Sequence, residues 1–264
     1  MEAKKIKIIV QDGQGNERMS SCGQGHSELV WYGSFEPGDK VLVEMEKESF
    51  AQIQLDSLIK PAVVYAAAGL FSFEIPFGTA KEAYPQEAFV CQTHQITAEY
   101  VEKPLNRRNL SENPLDVREE NEVYPHCTAS VETRGESVFA ARNTIDGLII
   151  TSGHGFWPHT SWGDGEDPNA EIMISFGRKV LAEEVQVFLR SDFPHDNYWQ
   201  EAVLCFSDGY EETIHMEKTG ACQSFMLKEP RVIEWVKMKN FRKDENDPSP
   251  FPALTQWKVY GGEI

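Results

Sequence analysis

Short runs of alternating apolar and polar residues, separated by turn-forming residues, constrain the fold of this 264-residue chain most strongly. Residues 71–75 and 171–176 both alternate in this way. A period of two is typical of a strand with one buried face, because successive side chains point to opposite sides of a sheet. No long helical pattern occurs in the first hundred residues. The pattern predicts an all-β fold of two jelly-roll-like β-sandwich domains in tandem.

A polar stretch divides the chain into two strand-rich segments. Residues 102–122 are rich in proline, asparagine and charged residues, which is typical of a linker or a long surface connection. The sequence therefore predicts an N-terminal β-sandwich domain over residues 1–101, a linker over residues 102–122 and a second sandwich over residues 123–264. Both predicted domains fall within the usual size range.

The charge balance restricts the class of partner. The chain has 42 acidic and 25 basic side chains, which gives a formal net charge of −17. Nucleic acids and anionic membranes both attract basic residues, so we expect neither as a partner. The N-terminus has no apolar run of signal-peptide length, and the five cysteines form no CxxC pair. We expect a cytoplasmic protein with reduced thiols, although an export signal removed earlier would leave the same sequence.

Five short motifs follow one another in the second segment, at residues 128–130, 140–147, 160–162, 170–177 and 256–261. In this order they resemble motifs of the galactose-binding-like β-sandwich. This is the fold of discoidin domains, of coagulation-factor C-type domains and of many carbohydrate-binding modules. The resemblance implies an antiparallel sandwich whose loops at one end bind a ligand.

The same resemblance implies a structural Ca²⁺ near the second of these motifs. Asp146 is the implied oxygen ligand. Thr160 or Ser161 and a backbone carbonyl such as that of Asn143 complete the implied set, and such oxygen ligands suit Ca²⁺. Gln256 stands where the family often has a carboxylate, which removes one negative charge from the site. The alternative is an ordinary turn held by hydrogen bonds of the aspartate side chain.

Two loops rich in aromatic and histidine residues, 153–162 and 190–199, are the candidates for ligand binding. A sugar packs one face against an aromatic ring, while its hydroxyl groups bond to polar side chains. The predicted ligand-binding residues are His154, Trp157, His159, Arg190, Asp192, His195, Asp196 and Trp199. Trp162 matches a packing residue of the family, so we expect it in the core. Trp199 immediately precedes a strand, and capping the sandwich edge is its alternative role.

The expected function is non-catalytic binding of a neutral carbohydrate by loops of the second sandwich. One alternative is a protein–protein interaction module, because a fold does not determine a function. Another is an accessory domain of a carbohydrate-active or metal-dependent enzyme, since histidines and carboxylates in the loops also suit a metal. The spacing of His154 and His159 differs from that of HExxH, and no GxSxG, Walker or Rossmann motif occurs. We therefore expect no enzymatic activity. The sequence does not determine the oligomeric state.

Overall fold

The computed structural model describes residues 4–119, 122–150, 157–191 and 196–264. These residues form sixteen β-strands and four short 3₁₀ helices, at Gly78–Ala83, Thr133–Gly135, Ser137–Phe139 and Ala141–Ile145. Their strands pair antiparallel, and their buried apolar side chains form two cores. The predicted all-β fold is confirmed. None of the helices in the described part of the chain is both long and apolar enough to span a membrane.

The first sandwich encloses its core between two sheets. Its strands are β1 (Lys5–Gln11), β2 (Glu17–Gln24), β3 (His26–Tyr32), β4 (Lys40–Glu44), β5 (Ser49–Gln54), β6 (Ala62–Ala66), β7 (Leu70–Glu74), β8 (Thr93–Tyr100) and, after β9 (Arg108–Asn109), β10 (Val123–Tyr124). The order is β2–β1–β4–β7 in one sheet and β10–β6–β5–β8–β3 in the other. Phe71, Phe73 and Ile75 are all buried, as the alternation predicts.

The second sandwich is one hydrogen-bonded sheet that bends around its core. Its remaining strands are β11 (His126–Ala129), β12 (Ile172–Arg190), β13 (Trp199–Phe206), β14 (Glu211–His215), β15 (Gln223–Lys243) and β16 (Ala253–Glu263). The order is β14–β13–β15–β12–β16–β9, and β11 also pairs with β12. The register of β12 against β15 shifts after Ser175 and after Ala182. Such irregularities bend a strand, and residues from both halves of β12 therefore reach the same core.

Within the predicted linker, residues 102–107 are largely exposed, as their composition indicates, whereas residues 108–117 are buried or half-buried and contact both cores. Strand β9 pairs with β16, Leu110 lies in the second core and Leu115 lies in the first. Polar residues here are also buried, and the Asn113 side chain donates to the Pro125 carbonyl at 2.8 Å. Some polar residues of this segment therefore form buried hydrogen bonds. Sequence alone does not distinguish them from polar residues that face water.

Arg178 connects the two sandwiches. Its Nε donates to Glu263 at 2.7 Å within the second sandwich. Its guanidinium lies 4.8 Å from the ring centre of Phe50 and 5.0 Å from that of Tyr65, both in the first. These are cation–π distances, so the contact stabilises the junction through packing as well as charge.

Candidate functional site

Three of the predicted ligand-binding residues form a buried cluster. The Arg190 guanidinium donates to Asp196 Oδ1 at 2.8 Å and 3.2 Å and to His159 Nε2 at 3.1 Å. Their exposed fractions are between 0 and 4%. Because Nε2 of His159 accepts a hydrogen bond, the proton of the neutral ring is on Nδ1. Direct contact with a sugar requires an exposure that these side chains lack in this structure.

Trp199 lies in the core of the second sandwich, with 1% of its surface exposed. Its ring stacks on Trp162 at a centroid distance of 5.8 Å, and Phe241 packs on it at 4.8 Å. Its indole Nε1 donates to Asp164 Oδ2 at 2.9 Å. The expectation that Trp162 is a core residue is confirmed, and Trp199 has the same role.

The other predicted residues lie elsewhere. Trp157 is half-buried beside a small cavity between the sandwiches, where its backbone N–H donates to the Glu82 carbonyl at 3.0 Å. His154, Asp192 and His195 lie outside the described residues. Their role in ligand binding stays a prediction.

The residues implied for Ca²⁺ come together only in part. Asp146 Oδ1 accepts from Gln256 Nε2 at 2.6 Å and from Leu148 N at 2.8 Å, and Thr160 Oγ1 donates to Oδ2 at 3.4 Å. The bond from Leu148 is the aspartate turn that the sequence offers as the alternative. Burial raises the pKa of Asp146 to about 7. This carboxyl is therefore held by neutral donors inside the protein.

Two of the implied ligands form other contacts: Asn143 through its side chain and Ser161 through its backbone carbonyl. The Asn143 amide donates to the carbonyls of Ser137 at 2.8 Å and Ser161 at 3.4 Å. Its Oδ1 accepts from the Arg142 guanidinium at 3.1 Å. Only the backbone carbonyl of Asn143 faces Gln256, at 2.7 Å. Within the ranges that the structure describes, no three His, Cys, Asp or Glu side chains are grouped as metal ligands.

A cleft that the sequence does not single out lies where three loops meet the end of β12. Its volume is about 320 Å³, within the usual range for small-ligand sites. Its lining combines aromatic, apolar and polar residues: Thr133, Arg134, Phe139, Gly163, Asp164, Gly165, Glu166, Arg190, Phe251, Pro252 and Ala253. We refer to it as the loop cleft.

Phe251 is the exposed aromatic residue of the loop cleft, with 45% of its surface accessible. Its backbone forms a bridge with Asp196, and its carbonyl accepts from Asn197 N at 3.3 Å. Asp196 therefore holds both Arg190 and the segment that presents this ring. The only sequence signal for Phe251 is an aromatic residue between prolines in a polar loop, which is too common to identify a site.

Two residues of the loop cleft have an unusual backbone conformation. Arg134 has φ of 52° and Glu166 has φ of 63°, a region that side-chain-bearing residues rarely adopt. Arg134 also pairs with Glu136 at 2.5 Å and 2.8 Å and lies over the Phe139 ring. Such conformations cost free energy, and two of the five non-glycine residues with positive φ in the described part of the chain line the loop cleft.

Asp164 is a fixed element of the same cleft. Its Oδ1 accepts from Glu166 N at 3.0 Å, while its Oδ2 accepts from the Trp199 indole. Burial raises the pKa of this carboxyl above its usual range. Because both oxygens accept from the protein, Asp164 connects the loop to the core.

Comparisons with known proteins give structural likenesses at low sequence identity. No protein-family model matches the chain, and no curated protein matches it. Among solved structures, it is similar to a chitosan-binding module of a chitosanase/glucanase from Paenibacillus sp. IK-5, with 17% identity, 59% of this chain and 100% of that chain covered and a TM-score of 0.41. A fucose-binding module from Streptococcus pneumoniae has 16% identity, coverages of 59% and 99% and a TM-score of 0.40.

A third similar structure is the family 32 carbohydrate-binding module of a Clostridium perfringens protein, in complex with galactose. Its identity is 16%, the coverages are 51% of this chain and 91% of that chain, and the TM-score is 0.39. These three similar structures are a chitosan-binding module, a fucose-binding module and a family 32 carbohydrate-binding module.

Proposed function

We propose that this protein binds a neutral carbohydrate in the loop cleft and does not act on it chemically. The observation that carries the proposal is the exposed ring of Phe251 beside polar side chains and a fixed loop backbone. Pyranose rings need both kinds of contact, an aromatic face for their C–H groups and directional partners for their hydroxyls. The motif resemblance of the second sandwich supports the same ligand class.

The charges around the loop cleft favour a neutral ligand. Arg190 is neutralised by Asp196, and Arg134 is neutralised by Glu136. An anionic sugar would have to compete with these carboxylates for either guanidinium. A neutral sugar accepts hydrogen bonds from the exposed Arg134 guanidinium without breaking its pair with Glu136.

The carboxylates of the loop cleft favour binding over hydrolysis. Most glycosidases use two carboxylates, one on each side of the bond that they cleave. Both carboxylate oxygens of Asp164 already accept hydrogen bonds from the protein, from Glu166 N and from Trp199 Nε1. Among the described lining residues, Glu166 is left as the one other carboxylate. This arrangement supports a non-catalytic module.

Replacing Phe251 with alanine is expected to weaken sugar binding about tenfold or more, because it removes the exposed stacking surface at a cost of about 1.4 kcal/mol per tenfold. A glycan array first identifies the sugar, and calorimetry then measures the dissociation constants of wild type and variant. Thermal unfolding should change little, since nearly half of this ring faces solvent.

Phe77→Ala is the matched control, because Phe77 is a similarly exposed phenylalanine, 38% accessible, outside the loop cleft. It should leave the affinity for the sugar unchanged. If wild type binds no mono- or oligosaccharide on the array, the proposal is wrong and a protein partner becomes the preferred ligand. Equal affinities of wild type and Phe251→Ala would place the sugar elsewhere.

A further inference from the structure

Three oxygen atoms from two separate segments converge on the side-chain nitrogen of Gln256. Nε2 lies 2.7 Å from the Asn143 carbonyl, 2.6 Å from Asp146 Oδ1 and 2.9 Å from the Thr255 carbonyl. Gln256 is 1% exposed, so water does not compete for these contacts. The amide therefore joins the turn that follows the Ala141–Ile145 helix to strand β16.

The orientation of this amide is fixed by its other atom. Oε1 of Gln256 accepts from Gly147 N at 3.0 Å. The reverse orientation would place the amide oxygen among three acceptors and the NH₂ group against an N–H donor. The network thus defines which end of the side chain occupies the centre of the three oxygens.

A cluster of carboxylate and carbonyl oxygens around one point is the arrangement that a hard cation such as Ca²⁺ prefers. Here a neutral NH₂ group occupies that point at hydrogen-bond distances. Asp146 is the one carboxylate among the three acceptors, whereas protein sites for Ca²⁺ rely on several negative oxygens. The donor set therefore does not fit a bound Ca²⁺ while the amide is in place.

The charges that face the turn do not replace the missing carboxylate. The Arg142 guanidinium acts on Asp146 from one side. Lys60 Nζ donates to the Gly147 carbonyl at 3.2 Å, and Glu112 also approaches Gly147, so these two side chains offset each other. These neighbours therefore add no net negative charge to the turn.

We propose that the Gln256 amide takes the place of the structural Ca²⁺ that the resemblance implies, so that this chain holds the turn and β16 together without a metal ion. The two N–H donors of the amide are shared among the oxygens that the ion would otherwise bind. With glutamine in place of a carboxylate, hydrogen bonds from the amide, and not a Ca²⁺ ion, join the turn to β16. The proposal does not depend on the identity of any sugar.

The first test is the response of the wild-type protein to calcium. The midpoint of thermal unfolding should be the same in excess EDTA and in millimolar CaCl₂, and calorimetric titration with CaCl₂ should show no binding. Elemental analysis of protein purified without chelator should find no stoichiometric calcium. A bound equivalent of calcium, or a midpoint that rises with CaCl₂, would overturn the proposal.

The second test is Gln256→Glu, which adds a carboxylate beside Asp146 and the two carbonyls. In EDTA this variant should be less stable than wild type, because two carboxylates then share a buried site. Saturating Ca²⁺ should raise its unfolding midpoint by about 5–10 °C, since ligand binding to the folded state alone stabilises it.

Gln256→Leu is the matched control, because it removes the amide without adding an oxygen. It should be destabilised to the same extent in EDTA and in CaCl₂. If Gln256→Glu folds but gains no calcium response, the three oxygens do not form a cation site and the proposal fails. If that variant does not fold, the wild-type measurements decide the question.

Discussion

Trp199→Ala is expected to lower the free energy of unfolding by about 3–5 kcal/mol, the range for a large aromatic residue removed from a core. The ring is almost completely buried between Trp162 and Phe241. The variant also loses the donor to Asp164, whose carboxylate is then buried with one partner fewer. Urea unfolding of wild type and variant, followed by circular dichroism, measures the change.

Trp199→Phe separates the two contributions, because it keeps an aromatic ring and removes only the indole N–H. Its loss of stability should be clearly smaller than that of the alanine variant. Trp157→Ala should also lose less stability than Trp199→Ala, since Trp157 is only half-buried. If Trp199→Ala kept wild-type stability and lost only sugar affinity, Trp199 would be a ligand contact and not a core residue.

The sequence predicts the fold well because alternation reports directly which face of a strand is buried. The alternating run at residues 71–75 has the predicted buried face. The pattern does not show whether two neighbouring alternating runs belong to one continuous strand. Residues 172–176 of the second alternating run and residues 184–190 lie in one strand, β12, because register shifts bend the chain without ending its pairing.

Binding residues are harder to predict, because the chemistry that suits a sugar also suits a buried network. His159, Arg190 and Asp196 have the hydrogen-bonding groups of a sugar site, but they satisfy one another inside the protein. Residue type does not reveal exposure, which depends on how distant loops pack. Two of these residues lie next to the proposed site, since Arg190 lines the loop cleft and Asp196 forms a backbone bridge with Phe251.

The Gln256 amide illustrates the opposite case, in which one residue in the sequence carries specific information. Gln256 stands where the resembling family often has a carboxylate, and this difference predicts a weaker metal site. In the structure, its amide nitrogen lies where several oxygens converge. The nitrogen lies among the oxygens of Asn143, Asp146 and Thr255. Sequence alone does not show that these atoms converge, because residues 143–146 and 255–256 are distant along the chain.

Asp196→Ala is expected to destabilise the protein by about 3–5 kcal/mol, because it leaves the buried guanidinium of Arg190 without its carboxylate. The expected loss exceeds the value of the hydrogen bonds themselves, since an unpaired buried charge retains its full desolvation cost. The same variant should also weaken sugar binding in the loop cleft, because the backbone bridge between Asp196 and Phe251 is next to the lost side chain.

The double variant Arg190→Met/Asp196→Ala should be more stable than Asp196→Ala alone, because the unpaired charge is then absent and an apolar side chain of similar length fills the space. Glu136→Ala is the matched control, since it breaks the exposed pair with Arg134 and should change stability by about 1 kcal/mol or less. Chemical denaturation of all three variants at low and high salt provides the comparison. An Asp196→Ala variant no less stable than Glu136→Ala would mean that water reaches Arg190. The guanidinium would then be available to a sugar, as the sequence originally predicts.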